Sequence, residues 1–298
     1  MKTLIAEVKR NALDDGPGIR SVVFFKGCPL NCVWCQNPET KSPGQELAYH
    51  AERCQGCGKC REACPAGAFN FSIGVYPVDR GRCTLCGACV QACLEGALVF
   101  AGREYTVDDL VKVLARDAVF YRNTGGGVTL SGGEPTLHAA YLGHLLPRLK
   151  DLGIPVCLET CGHYDRRTFE RSVLPYLDLI YFDLKLADPD RHARFCGRDN
   201  RTIRANFEAL AAQGKVALLP RIPLVPGITD TAENLKGLRD YLSGLSLARV
   251  AFLPYNPLWL SKLGPLGLTA DYTHAAWMGA AEKDHIRSMF HGFEVNPF

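Results

Sequence analysis

Short apolar runs punctuate the chain at 22–25, 128–130, 156–159, 179–183, 216–220 and 250–253, each with the length of a buried strand. Between most of them the apolar residues recur at helical spacing, over 107–119, 137–149, 166–174, 205–213 and 232–242. The first of these helices follows Thr106 and carries Asp108 and Asp109 in its first turn, where negative charge favours a helix N-terminus. Strand and helix in alternation predict a parallel sheet wrapped by helices, since parallel neighbours need a crossover. Six strands are too few to close an eight-stranded barrel. An open partial barrel and a doubly wound sheet both satisfy the pattern.

The rhythm breaks from about Lys41 to Arg103. This stretch holds eight cysteines, many glycines and only short apolar runs such as 68–73. It interrupts the chain between the first apolar run and the first long helix. The pattern predicts an inserted domain at 41–103, with an inorganic rather than a hydrophobic core, set into a larger domain formed by 1–40 and 104–298.

Composition narrows the class. The 298 residues are 47% hydrophobic and 22% charged, ordinary for a soluble chain long enough to bury a core without disulfides. A net charge of +3, with scattered Lys and Arg, argues against nucleic acid as a partner. No apolar stretch approaches a membrane span, and residues 1–10 alternate charged and apolar positions with no leader-like block. A cytoplasmic protein is expected. The anomaly is cysteine: 14 in all, 11 of them between Cys28 and Cys93. Without an export signal, such a cluster points to metal rather than to disulfides.

The insert reads Cys54-x2-Cys57-x2-Cys60-x3-Cys64-Pro65, then Cys83-x2-Cys86-x2-Cys89-x3-Cys93. Three thiolates two residues apart can wrap three corners of a cubane in one tight loop. The small residues Gly56, Gly58, Gly87 and Ala88 let backbone N–H groups approach the sulfurs. Zinc needs only four thiolates and has no use for the third step in each run. The runs resemble those of bacterial two-cluster ferredoxins, in which the fourth cysteine ligates the other cluster. That resemblance implies one [4Fe–4S] cluster on Cys54, Cys57, Cys60 and Cys93, and another on Cys83, Cys86, Cys89 and Cys64. Leu94 stands where a proline usually follows the last cysteine, which removes no ligand.

Upstream, Cys28-x3-Cys32-x2-Cys35 has no fourth cysteine. Three ligands leave one iron of a four-iron cluster open, as a catalytic site requires. The alternative is an electron-transfer cluster completed by Cys157, Cys161 or Cys196. The triplet resembles that of the radical S-adenosylmethionine (SAM) enzymes, whose open iron is chelated by the amino and carboxylate groups of SAM. One electron then cleaves SAM to methionine and a 5′-deoxyadenosyl radical, with the cofactor carrying the hard chemistry. By the same resemblance Trp34 packs near the adenine, and Gln36 belongs with the cofactor-binding residues.

Further motifs are similar to those of glycyl radical enzyme activases such as that of pyruvate formate-lyase. They are Asp15-Gly16-Pro17-Gly18-Ile19-Arg20, then Phe24-Phe25-Lys26-Gly27-Cys28, then Ser131-Gly132-Gly133-Glu134-Pro135. In the last, glycines permit close backbone approach to a ligand and Glu134 is expected to receive the SAM amino group. Glu159-Thr160, Asp183-Leu184-Lys185 and Arg221 resemble later family elements at strand ends, where ligand sites cluster in such sheets. Asp188 and Asp190 match nothing and read as surface charges. Asn256, in Leu253-Pro254-Tyr255-Asn256, stands where the family usually has a histidine near the SAM ribose. It keeps a donor and an acceptor but carries no charge.

The resemblance implies a partial (β/α)6 barrel and an anaerobic enzyme that removes hydrogen from a glycine Cα of a partner glycyl radical enzyme. Cys28, Cys32, Cys35 and Lys185 would form the reacting centre, with Asp15 holding the partner's backbone. The two insert clusters would pass electrons inward from a flavodoxin or ferredoxin, or serve only as structure. Two readings compete: a radical SAM enzyme acting on a small molecule or another peptide residue, and a ferredoxin-type electron carrier. The second leaves the triplet and the strand-helix region without purpose. Cys157, Cys161 and Cys196 read as bystanders.

Overall fold

The computed structural model describes residues 1–71 and 76–296. Residues 72 and 73, the end of the apolar run at 68–73, lie outside them. The β-strands are β1 (Lys2–Ala12), β2 (Arg20–Phe25), β3 (Glu46–Tyr49), β4 (Leu98–Ala101), β5 (Arg103–Thr106), β6 (Gly127–Gly132), β7 (Val156–Thr160), β8 (Leu179–Asp183), β9 (Ala217–Leu224), β10 (Arg249–Pro254) and β11 (Glu294–Asn296). The helices are α1 (Lys59–Glu62), α2 (Ala88–Ala92), α3 (Val107–Ala115), α4 (Ala118–Thr124), α5 (Ala139–Asp151), α6 (Arg166–Ser172), α7 (Pro189–Cys196), α8 (Arg201–Gln213), α9 (Ala232–Gly244) and α10 (Ala280–Met289).

Among the described residues, nine strands form one sheet in the order β11-β10-β9-β8-β7-β6-β2-β1-β5. From β2 through β6 to β11 every neighbour is parallel, while β1 and β5 are antiparallel additions at the far edge. All six predicted strands are present, in parallel and in chain order. The core lies under the sheet, where Phe25, Leu130, Leu158, Ile180, Phe182 and Phe252 meet the apolar faces of the helices.

Three differences from the sequence expectation have physical causes. The alternation in residues 1–10 is the period-two pattern of a half-buried strand, and β1 pairs Ile5 with Phe25 and Val8 with Val23. The single helix expected over 107–119 is two. Thr106 caps α3 by accepting from the Asp109 N–H at 3.1 Å. The chain then breaks at buried Asp117, which accepts from Ser21 Oγ at 2.8 Å and from the Arg10 guanidinium. Asp188 does more than sit on the surface: it caps α7, accepting from the Arg191 N–H at 2.7 Å.

Residues 46–101 hold a second, smaller core. β3 and β4 pair antiparallel, and Leu47, Phe69, Val78, Cys89 and Leu98 pack between them and the cysteine loops. No helix among the described residues is long and apolar enough to cross a membrane.

Candidate functional site

Parallel strands deliver all their C-terminal ends to one edge of the sheet, and the predicted residues meet there. The loop after β2 is held by backbone bonds: Gly27 N–H to the Thr40 carbonyl (2.7 Å) and Cys28 N–H to that of Lys41 (3.2 Å). Its middle rests on the end of α7. Asn31 N–H donates to the Cys196 carbonyl (2.7 Å), Val33 N–H to that of Phe195 (3.1 Å), and Arg198 Nε to that of Pro29 (2.8 Å). This bracing turns Cys28, Cys32 and Cys35 toward a common cavity of about 440 Å³.

The cavity's other walls are strand ends. Ser131, Gly132 and Gly133 come from β6 and its exit, Glu159 and Thr160 from β7, Asp183 and Lys185 from β8, and Arg221 from β9. Their charges form one chain. Ser131 Oγ donates to Glu159 Oε2 (2.5 Å), Arg221 Nη1 to Glu159 Oε1 (2.5 Å), Arg221 Nε to Asp183 Oδ1 (3.0 Å) and Lys185 Nζ to Asp183 Oδ2 (2.9 Å). Burial alone would raise the Asp183 carboxyl, but Lys185 and Arg221 outweigh it and hold the group below its ordinary range. Burial likewise opposes charge on Lys185 and Arg221, yet their carboxylate partners keep both fully protonated. Asp15 also lines the cavity; burial, then the nearby Glu159 charge, raises it.

Trp34, Gln36 and Asn256 reach the same space. Gln36 Nε2 donates to the Asn256 carbonyl at 3.3 Å, tying the cysteine loop to the exit of β10. The Asn256 side chain accepts from the Leu258 N–H at 3.3 Å.

Glu134 is elsewhere. It is fully buried behind the wall, and its carboxylate accepts from Thr136 N–H (3.1 Å), Thr136 Oγ1 (2.8 Å), Thr160 Oγ1 (2.9 Å) and Cys161 N–H (2.7 Å). Gly132 and Gly133, not Glu134, line the cavity at this point. The acceptor sites of Glu134 are spent on joining the exits of β6 and β7. The glycines before it serve backbone crowding as well as the cavity. A Cβ on Gly132 (φ +102°) would stand 2.5 Å from the Phe25 nitrogen, and one on Gly133 would strike the Gly27 carbonyl.

Sequence reasoning missed Ser131 as the partner of Glu159, and passed over two cysteines. Cys161 lines the cavity within hydrogen-bonding reach of Cys28, and Cys196 stands against Cys32. Cys161 follows Thr160 directly, a signal that was available. Cys196 gave none, because only the fold of α7 brings it close. Cys157 stays buried within the sheet.

In the insert the two cysteine runs exchange their last members. Cys54, Cys57, Cys60 and Cys93 ring one space of about 390 Å³, and Cys64, Cys83, Cys86 and Cys89 ring a second, tighter one. Backbone N–H groups approach sulfur from Gly56, as expected, to Cys54 at 3.4 Å, and from Ala68, which was not foreseen, to Cys64 at 3.3 Å. Among the described residues no three His, Cys, Asp or Glu side chains meet at a point where one metal ion would sit. The thiols surround volumes instead. Together with the triplet, these sets fit four-iron clusters. Burial pushes the Cys35 thiol up to about 12, so iron would displace a proton there.

A sheet of this kind with a cysteine loop at its strand ends defines an iron–sulfur protein of α/β fold, and the comparisons agree. The family described as a 4Fe-4S single cluster domain matches residues 14–203. SuiB of Streptococcus suis, solved with its precursor peptide SuiA, aligns over 90% of this chain and 44% of its own at a TM-score of 0.51 and 12% identity, which bears on the fold alone. The trans-4-hydroxy-L-proline dehydratase activating enzyme of Clostridioides difficile is 40% identical over 88% of this chain and 87% of its own. The indoleacetate decarboxylase activating enzyme of Tractidigestivibacter scatoligenes is 36% identical over 99% and 96%. The chain belongs to the radical SAM family of glycyl radical enzyme activating enzymes. It is thus an enzyme, and the family implies a [4Fe–4S] cluster, SAM and a partner glycyl radical enzyme.

Proposed function

We propose that the strand-end cavity holds SAM against a [4Fe–4S] cluster on Cys28, Cys32 and Cys35, and receives a glycine loop of the partner enzyme. The observation that carries this reading is the meeting of three thiols with both signs of charge on one cavity. When bound, cluster and SAM supply the one-electron chemistry that removes hydrogen from the glycine Cα. The chain's own residues orient and shield. Arg221 and Lys185 offer cations to a carboxylate, Asp183 and Glu159 offer anions to an ammonium group, and Trp34 offers a flat apolar face. Thr160, Gln36, Gly132, Gly133 and Asn256 complete the cofactor wall, and Asp15 holds the incoming backbone. Positioning of this kind is the main service a protein gives such a reaction.

The proposal extends to organisation. Residues 1–40 and 104–298 form a partial (β/α)6 barrel on β2 and β6–β10. Residues 41–103 form a ferredoxin-like domain with two [4Fe–4S] clusters, for three in the whole chain. The crossed cysteine sets and the separate small core support this division. Electrons would come from a flavodoxin or ferredoxin.

The test uses anaerobically reconstituted, dithionite-reduced protein, SAM, and a peptide copying a glycyl radical loop with its glycine deuterated. Deuterium in 5′-deoxyadenosine, read by mass spectrometry, is the expected result. Unlabelled deoxyadenosine would move the substrate to another residue or to a small molecule. No deoxyadenosine from iron-replete protein would overturn the proposal.

A further inference from the structure

The segment from Lys185 to Asn200 leaves the cavity wall after β8 and returns beside the cysteine loop. Its first residues lie beyond β8, so the carbonyls of Lys185, Leu186 and Ala187 cannot pair in the sheet. A buried carbonyl left unpaired is costly, and side-chain amides supply the donors. Asn234 of α9 gives Nδ2 to the carbonyls of Lys185 (3.1 Å) and Thr229 (2.7 Å), and its Oδ1 accepts from the Ala187 N–H (2.8 Å). Asn200 gives Nδ2 to the carbonyls of Leu186 (2.7 Å) and Ala187 (3.1 Å). Both asparagines are buried.

Asn200 breaks a local rule to do this. It stands at the N-cap of α8, where an asparagine side chain normally accepts from the first turn. Here that side chain makes no capping bond, and Asp199 Oδ1 accepts from the Arg201 N–H instead, at 2.9 Å. Asn200 Oδ1 is buried without a hydrogen-bond partner among the described residues, so the amide's donors, not its oxygen, explain its place. Those donors close the 186–200 segment on itself.

The far end of the closed segment grips the cysteine loop. His192, buried in α7, donates from Nδ1 to the Arg198 carbonyl at 2.6 Å, which sets the turn after the helix. Around that turn the carbonyls of Phe195 and Cys196 accept from Val33 and Asn31, and Arg198 donates to Pro29. Gly197 (φ +81°) fits closely, since a Cβ there would stand 3.1 Å from Asn31 Cβ. One segment thus carries both Lys185 in the charged wall and the brace of the triplet.

We propose that residues 185–200 form a clasp coupling these two walls of the cavity, with Asn200 as the positioning residue that fixes Lys185 relative to Cys28, Cys32 and Cys35. Its consequence for binding rests on the cavity being the SAM site: a ligand that spans thiols and cations needs both held in one geometry. The coupling itself needs no ligand.

The experiment measures hydrogen exchange by mass spectrometry on the reconstituted full chain. Asn200→Leu keeps the side-chain volume and removes both N–H groups. It should speed exchange several-fold in 185–200 and also in 29–35, where Asn200 makes no hydrogen bond among the described residues. Asn206→Leu is the control, because Asn206 of α8 gives Nδ2 to the Gly162 (2.8 Å) and Tyr164 (3.0 Å) carbonyls after β7. It should speed exchange around 161–164 and leave 29–35 at the wild-type rate. Asn200→Leu should also weaken SAM binding several-fold by calorimetry. Where it folds poorly, Arg198→Ala serves, since that side chain is exposed; it should loosen 29–35 and leave 161–164 unchanged. Wild-type exchange of 29–35 in either variant, an equal rise there in Asn206→Leu, or wild-type SAM affinity in a loosened Asn200→Leu would overturn the proposal. Wild-type chain that binds no SAM would sink the reading of the cavity, while the exchange comparison would still decide the coupling.

Discussion

The 28–35 loop rests on a sheet backed by large buried side chains such as Phe25, Phe182 and Phe252, whereas the insert's eight cysteines have only Leu47, Phe69, Val78 and Leu98 behind them. The first site is a cavity in a scaffold that stands without it. The second is a scaffold organised around its own cavities, since a segment this small buries too little apolar surface to order itself. At the strand ends, charge lines the cavity, with Glu159, Arg221, Asp183 and Lys185 in one chain. In the insert, charge links it to its host, through Glu46 on Lys26 and Arg80 on the Leu266 carbonyl. The same residue type thus lines a charged cavity in one region and rings spaces beside a small core in the other.

The largest effect should come from the triplet. Cys35→Ala is expected to abolish 5′-deoxyadenosine formation, read by mass spectrometry, whereas Cys57→Ala removes only part of it. Full turnover in Cys35→Ala would dissolve the contrast between the regions. Iron removal sharpens it from the other side. After chelation, limited proteolysis should cut within 50–96 while the sheet resists, and equal cutting throughout would mean that the insert stands on its own.

At the strand-end cavity, Arg221→Met leaves Glu159 and Asp183 without their shared cation. Breaking a buried pair from one side costs about 3–5 kcal/mol, to be seen as a lowered Tm together with weaker SAM binding. Glu134→Gln should cost about 1–3 kcal/mol by placing an N–H₂ where donors converge. Its SAM affinity should stay near wild type, and a large loss of affinity by calorimetry would return Glu134 to the cavity.

The smallest effect concerns pH. Burial and Glu159 raise the Asp15 carboxyl, so the folded chain keeps that proton to a higher pH than the unfolded chain does. Stability from this group is complete below the ordinary aspartate value and declines as pH rises through the folded one. Asp15→Asn should therefore raise stability slightly at neutral pH, by less than about 1 kcal/mol, read as a slightly higher Tm, and not at acidic pH. A Tm loss at neutral pH would contradict this.

Six of the seven parallel strands among the described residues were legible as apolar runs, because a strand buried on both faces needs side chains that say so locally, whereas the three-residue edge strand β11 was not. The cysteine spacings were legible for a similar reason: a tight loop around a cluster is a local object. Strand β1 went unread, although its alternation was visible, because half-burial gives a weaker signal. Arg221 could be singled out, but not its bidentate hold on Glu159 and Asp183, which depends on the β8–β9 register pairing Asp183 with Arg221. Glu134 shows the limit most directly. Its motif was recognised, but not the donors from Thr136, Thr160 and Cys161 that its carboxylate accepts.

By itself, then, the sequence determined where six of the parallel strands lie along the chain, the three cysteine groups and the kind of chemistry they carry, since these rest on local spacing and local burial. Only the tertiary structure decided which acids line the cavity and which are buried behind it, how Cys161 and Cys196 come to flank the triplet, and where Lys26 finds its counter-charge. Those outcomes depend on groups far apart in the chain, and a charge takes its role from what surrounds it in space.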